Sequence, residues 1–122
     1  MTHSWTLDGV PLAPDEVGAV LRARIDAGHL ETWLTSGSGR SLAFVTNTER
    51  AMLVLLDGEG DAGEHATDPG ASATSDGFVL SNGQSDEYPD ADTVPLDRAL
   101  RIAGHVVRTG TWPADAHHVS DR

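Results

Sequence analysis

Residues 41–56 read SLAFVTNTERAMLVLL, and this stretch decides the fold class of the chain. Ser41–Thr46 alternates larger and smaller apolar side chains, which is typical of a strand. Ala51–Leu56 is apolar at every position, as expected for a central strand that is covered on both faces. The connection Asn47–Arg50 is short, so the two strands are predicted to form an antiparallel hairpin at the centre of a sheet.

The sequence on either side of this hairpin predicts more strands and two helices. Pro14–Ala27 has a proline at its first position, an apolar stripe at helical spacing and a glycine directly after it, and we expect a helix there. A second helix opens at Pro95, follows the i, i+3, i+4, i+7 rule and ends at Gly110. The further strand candidates are Ser4–Leu7, Leu30–Thr35, Gly77–Ser81 and Gln84–Tyr88, the last two joined by the hairpin turn Asn82-Gly83.

This order of elements predicts an α+β fold in which an antiparallel β-sheet of four to six strands carries two amphipathic helices packed on one side. A length of 122 residues suits a single domain over residues 1–122. We expect its core to span residues 12–113. Residues 57–76 are predicted to form an acidic flexible loop, and residues 114–122 a tail.

The charge of the chain is unevenly distributed. The formal net charge is −11, and between Ala51 and Asp97 there are 11 acidic residues and no basic residue. Because such a surface repels phosphate and anionic lipid, we expect no direct binding to nucleic acid and none to membranes. The acidic segment is interpreted either as a solvated loop that keeps the protein soluble or as a patch that steers a cationic partner.

The sequence also indicates a compartment. It has no cysteine, its longest apolar stretch is too short to cross a bilayer, and no secretory signal follows Met1. We therefore expect a cytoplasmic protein.

The loop Asp57–Asp68 contains two patterns associated with ligands. Gly58–Gly63 fits G-x-G-x-x-G, but acidic neighbours and the lack of a following helix argue against a pyrophosphate there. The spacing of the acids also resembles a calcium loop, although Ala62 stands where the sharp turn needs glycine. No motif for nucleophilic catalysis or zinc is present, so we expect neither enzyme activity nor a cofactor. The alternative is a small acidic binding module, or an enzyme, that uses this loop for a metal ion or small ligand.

The three tryptophans are predicted to be packing residues. Trp112 has a second interpretation, because it lies between a threonine and a proline just past the second helix. In that position it would serve equally well as an exposed anchor for a partner.

One region of the sequence resembles a known family. The residues that carry the resemblance are Gly77–Pro89 (GFVLSNGQSDEYP), Thr93-Val94-Pro95 and Thr109-Gly110-Thr111-Trp112-Pro113. Together with the order of the upstream strands they are similar to the first-numbered family of polymorphic-toxin immunity proteins, Imm-one. The resemblance covers Leu30 to Pro113 and is most specific over Asn82–Pro89. Many members carry a tryptophan a few residues beyond the final proline, where this chain has His117-His118.

The resemblance implies an immunity protein that forms a 1:1 complex with a cognate toxin, for this family a deaminase acting on DNA or another nucleic acid. An inhibitor with a concentrated acidic face would associate quickly with the basic groove of such an enzyme and cover its pocket. Asn82 and Gly83 are expected only to shape the turn. The predicted contact residues are Asp57, Glu59, Asp61, Gln84, Asp86, Glu87, Tyr88 and Trp112.

Overall fold

Short strands and two helices make up the structure, a computed structural model that describes residues 4–122. The helices are α1 (Val17–Asp26), preceded by a 3-10 turn at Pro14–Glu16, and α2 (Leu96–Thr109). In chain order the strands are β1 (Trp5–Leu7), β2 (Val10–Leu12), β3 (Glu31–Ser36), β4 (Ser41–Thr46), β5 (Arg50–Leu56), β6 (Glu64–Ala66), β7 (Thr74–Val79), β8 (Ser85–Pro89), β9 (Val94–Pro95) and β10 (His118–Ser120).

The predicted central hairpin is formed by β4 and β5. The two strands pair antiparallel from Ser41 opposite Leu56 to Thr46 opposite Ala51. The side chain of Asn47 closes the turn, since its Oδ1 accepts hydrogen bonds from the backbone N–H groups of Glu49 (3.0 Å) and Arg50 (2.8 Å). The local sequence therefore sets the register of the sheet centre.

The predicted α+β class is confirmed. The main sheet has eight strands in the order β10-β6-β5-β4-β3-β1-β2, with β9 paired to β5, and every pairing in it is antiparallel. Both helices end as predicted, because Gly28 follows α1 and Gly110 follows α2, each with positive φ. Gly110 donates its N–H to the carbonyl of Val106 at 2.7 Å, which satisfies one of the free carbonyls of the last turn.

The hydrophobic core lies between the two helices and one face of the sheet. Leu42, Phe44 and Leu53 point to this face and are at most 1% exposed. Ile102 and Val106 of α2 pack against them within the same cluster. Burying side chains of this size is the main stabilising contribution to a domain of this length.

The opposite face of the sheet is covered in part by a second, two-stranded sheet made of β7 and β8. Its strand β7 contacts β4, and Phe78 of β7, which is fully buried, stacks edge-on against Tyr88 with ring centroids 4.9 Å apart. This contact explains why Ala43 and Val45, on the face of β4 away from the helices, are also buried. We call residues 74–89 the acidic hairpin.

The main sheet has more strands than the four to six predicted. Of the strands that the pattern did not reveal, β6 lies in the segment predicted as a loop and β10 in the segment predicted as a tail. Both are three residues long and polar, so they carry no alternation that the sequence could show. They form because the backbone N–H and C=O groups on the outer edge of β5 need hydrogen-bond partners. β6 supplies these partners, and β10 in turn pairs with the free edge of β6.

Candidate partner-binding surface

The structure divides the predicted contact residues into two groups. Asp57 and Asp61 follow β5 and lie beside the end of the chain, where Arg122 contacts them. Gln84, Asp86 and Tyr88 lie on the acidic hairpin. Within residues 4–122 no hydrogen bond or ion pair joins the two groups, so they form two separate sites.

Arg122 binds both carboxylates of the first group and, in addition, that of Glu64. Its Nε lies 2.9 Å from Asp61 Oδ1, its Nη2 3.0 Å from Asp57 Oδ2 and its Nη1 3.3 Å from Glu64 Oε2. Arg40 supplies a second cation, with its Nε 3.2 Å from Asp57 Oδ1. We call Asp57, Asp61, Glu64 and Arg122 the C-terminal cluster, and its negative charge is largely balanced within the chain.

Within the C-terminal cluster, Asp61 is held in its charged form. Hydrogen bonding to Arg122, reinforced by the backbone N–H of Asp57, lowers the pKa of Asp61 to about 2. Glu59, the third predicted contact in this loop, is exposed, and the structure gives it no ion pair among the described residues. A guanidinium thus binds Asp57 and Asp61, two acids of the loop Asp57–Asp68 that the alternative interpretation assigned to a metal ion or small ligand.

Metal ligands do not converge elsewhere in the described part of the chain. Across residues 4–122, no three histidine, aspartate or glutamate side chains form a group that could hold a metal ion.

The second group is a small hydrogen-bonded unit on the acidic hairpin. Asp86 Oδ2 accepts a hydrogen bond from the Tyr88 hydroxyl, and Asp86 Oδ1 accepts one from Gln84 Nε2, both at 2.7 Å. The backbone N–H of Gln84 donates to Asn82 Oδ1 at 2.9 Å, as expected for a residue that shapes the turn. The predicted residues at the end of the hairpin are therefore pre-positioned rather than free to rotate.

The same contacts set the ionisation of this unit. Hydrogen bonds from Tyr88 and then Gln84 lower the pKa of Asp86. Burial, helped by the neighbouring Asp86 carboxylate, raises the pKa of Tyr88 to about 12. At neutral pH the hairpin therefore presents a carboxylate held by a neutral phenol.

The charge of the acidic hairpin is not balanced by any cation among residues 4–122. Its acids are Asp76, Asp86 and Glu87, and no arginine lies between residues 51 and 97. In the described part of the chain, none of these carboxylates forms an ion pair, whereas the C-terminal cluster is paired with Arg122 and Arg40. This contrast makes the hairpin the stronger candidate surface for a cationic partner.

Trp33 lies beside the hairpin and is 47% exposed. Its Nε1 donates to Glu31 Oε2 at 3.3 Å, and the other oxygen of Glu31 accepts the backbone N–H of Ser81 at 2.9 Å. The prediction that Trp33 is a packing residue is therefore wrong. The sequence did contain the signal, because Thr32 and Leu34 alternate with Trp33 along β3 and are the buried members of the strand.

Trp112 takes the first of its two predicted roles. It is half-buried against the core, stacks on His118 with ring centroids 5.3 Å apart, and donates its Nε1–H to Glu64 at 3.2 Å. It thus supports the C-terminal strand and does not project as an anchor.

The C-terminal strand is also held by a histidine between two carboxylates. His65 Nδ1 lies 2.7 Å from Asp121 Oδ2, and His65 Nε2 lies 3.1 Å from Asp92 Oδ1. Burial disfavours the charged imidazole, but the hydrogen bonds to Asp121 and Asp92 outweigh it, and the pKa of His65 is raised. This site joins β6, β10 and the turn before β9.

Comparison with known proteins adds no assignment, because the sequence matches neither a model of a known protein family nor a curated protein. In residues 4–122, neither helix has the length and apolar character needed to span a membrane.

Proposed function

We propose that this chain is an immunity protein that binds and neutralises a cognate polymorphic toxin, a deaminase domain that acts on DNA or another nucleic acid. The observation that carries the proposal is the acidic hairpin, whose three carboxylates form no ion pair among residues 4–122. The resemblance of Asn82–Pro89 to the Imm-one family supports it from the sequence, since this is the stretch that forms the turn and outer strand of the hairpin.

The choice of partner follows from charge complementarity. A deaminase that acts on nucleic acid needs a basic groove for the phosphate backbone and a pocket for the reacting base. A rigid acidic hairpin is attracted to the same groove, because fixed carboxylates occupy the positions of phosphates. Electrostatic attraction of this kind raises the association rate and selects the partner.

The mechanism is occlusion in a 1:1 complex. Once the hairpin lies against the groove, the body of the sheet behind it blocks the approach of the nucleic acid. This chain performs no chemical step, and the zinc that activates water in such reactions belongs to the toxin. We place the encounter in the cytoplasm, where an unblocked toxin would reach nucleic acid.

The test is co-expression with the toxin encoded beside this gene. The wild-type chain should restore growth and co-purify with the toxin as a 1:1 complex measured by light scattering after gel filtration. A cell that is not rescued, together with two proteins that elute separately, would refute the proposal.

A pair of triple variants tests the hairpin. D76N/D86N/E87Q removes its three charges, and D15N/D26N/D115N removes three exposed charges elsewhere while changing the net charge equally. In stopped-flow association at low salt, the hairpin variant should bind about tenfold more slowly and with a weaker salt dependence, whereas the control stays near wild type. Equal slowing of both variants would show that net charge, and not the hairpin, attracts the partner.

A further inference from the structure

Building on the proposed function, we infer that Trp33 is the apolar anchor of the interface and inserts into an apolar pocket of the toxin that is rimmed by lysine or arginine. Tryptophan is among the residues that contribute most to binding when an interface covers them. Three properties of Trp33 support this assignment: the exposure of its side chain, its fixed position and the charge around it.

Exposure singles out one face of the molecule. The exposed large apolar side chains of the described residues are Val10, Trp33, Val79 and Val119. Val10 and Val119 lie on the two edge strands, β2 and β10. Glu31 connects the other two, because it bonds to Trp33 and lines one surface groove with Val79. Trp33 and Val79 are therefore the exposed large apolar side chains of β3 and of the acidic hairpin.

Trp33 is also held in place before any partner binds. Its indole N–H is bonded to Glu31, and Glu31 is itself fixed by the backbone N–H of Ser81 in the hairpin turn. The link between β3 and the hairpin means that the indole and the acidic side chains keep one relative position. Because little side-chain freedom remains to be lost, more of the contact energy contributes to binding.

The charge around Trp33 identifies the kind of surface it fits. The backbone N–H of Ser81 lowers the pKa of Glu31, so this carboxylate is ionised beside the indole. The charge of Glu31 also contributes to the raised pKa of Tyr88, so Glu31 lies near the Tyr88–Asp86 pair of the hairpin. Arg24, which lines the same groove as Glu31, is already bonded to Asp8 at 3.6 Å and to Thr32 at 3.0 Å. An apolar centre with an acidic rim is complementary to an apolar pocket with a cationic rim.

The experiment compares W33A with V10A, which removes an exposed apolar side chain from the edge strand β2. We expect W33A to raise the Kd for the toxin at least about 30-fold, mainly through faster dissociation, and V10A to leave it within about twofold. W33F, which keeps an aromatic ring, should recover part of the loss. Because Trp33 is exposed, thermal melting should show W33A folded.

The outcomes separate this inference from the function on which it rests. If the wild-type chain binds the toxin and W33A binds equally well, Trp33 is not the anchor while the immunity function stands. If W33A and V10A weaken binding to the same extent, the anchor is likewise overturned. If the wild-type chain itself does not bind the toxin, the proposed function fails and this inference fails with it.

Discussion

Replacing Gly63 with alanine should destabilise the protein more than the same change at Gly60. Both glycines belong to the loop between β5 and β6 and both have positive φ, +83° and +80°. A Cβ added at Gly60 meets nothing within 4 Å. A Cβ at Gly63 would lie 2.8 Å from Leu56 Cδ2 and 2.9 Å from the carbonyl oxygen of Leu55. The pair therefore separates backbone strain from steric contact.

The magnitude follows from these two contributions. Left-handed backbone costs an alanine about 1 kcal/mol at either position, and part of this is offset because alanine restricts the unfolded chain. At Gly63 the backbone oxygen cannot rotate away, so β6 must shift from β5, which adds about 2 kcal/mol as in other overpacked sites. We expect G63A to lower the free energy of unfolding by about 3 kcal/mol and G60A by about 1 kcal/mol or less.

Urea denaturation followed by tryptophan fluorescence measures the difference. With a slope of about 2 kcal/mol per molar urea, the G63A midpoint should lie about 1 M below that of G60A. The carbonyl of Gly63 also accepts the N–H of Asp121 at 2.8 Å, so G63A should increase hydrogen exchange in β10. Coincident midpoints for the two variants would refute the close approach of Gly63 to β5.

Three other perturbations test the charged groups. R50M should lower the free energy of unfolding by about 3 kcal/mol, because the Arg50 side chain is only 18% exposed and its loss leaves buried acceptors unpaired. The control R22M removes an exposed ion pair and should lower the free energy of unfolding by less than about 0.5 kcal/mol in the same urea titration. Because the pKa of His65 is raised in the folded state, protonated His65 stabilises the fold fully below about pH 6.5, and this stabilisation is lost as the pH rises through the pKa of the folded state. The stability advantage of wild type over H65Q should therefore shrink above neutrality, and parallel profiles of unfolding free energy against pH would contradict this. Y88F should raise the pKa of Asp86 in an NMR titration, and an unchanged pKa would show that the phenol does not stabilise that carboxylate.

The candidate site shows which of its features were visible in the sequence. Asn82-Gly83 and the alternation around it predicted the hairpin, and the absence of arginine between residues 51 and 97 predicted its charge. These are local properties, because a turn and a run of like charges are defined by neighbours in the chain. The exposure of Trp33 also follows from the period-two alternation of β3, in which Thr32 and Leu34 are the buried residues.

The pairing of the loop acids was not visible in the sequence. Asp57 is 65 residues from Arg122 and 17 from Arg40, and no spacing rule connects them. The same holds for His65, which meets Asp121 across 56 residues only because β10 pairs with β6. Contacts of this kind depend on which strand covers which edge.

The sequence by itself determined the two helices, the central hairpin, the acidic hairpin and the segregation of charge, since each follows from periodicity, turn residues or composition over a few neighbouring positions. Only the tertiary structure decided that three acids of the acidic segment are balanced by Arg40 and Arg122 while those of the hairpin have no ion pair among residues 4–122, and that Trp33 is exposed while Trp112 packs. The physical reason is that exposure and ion pairing are properties of surfaces brought together by the sheet order, and short polar strands such as β6 and β10 leave almost no pattern from which that order could be inferred.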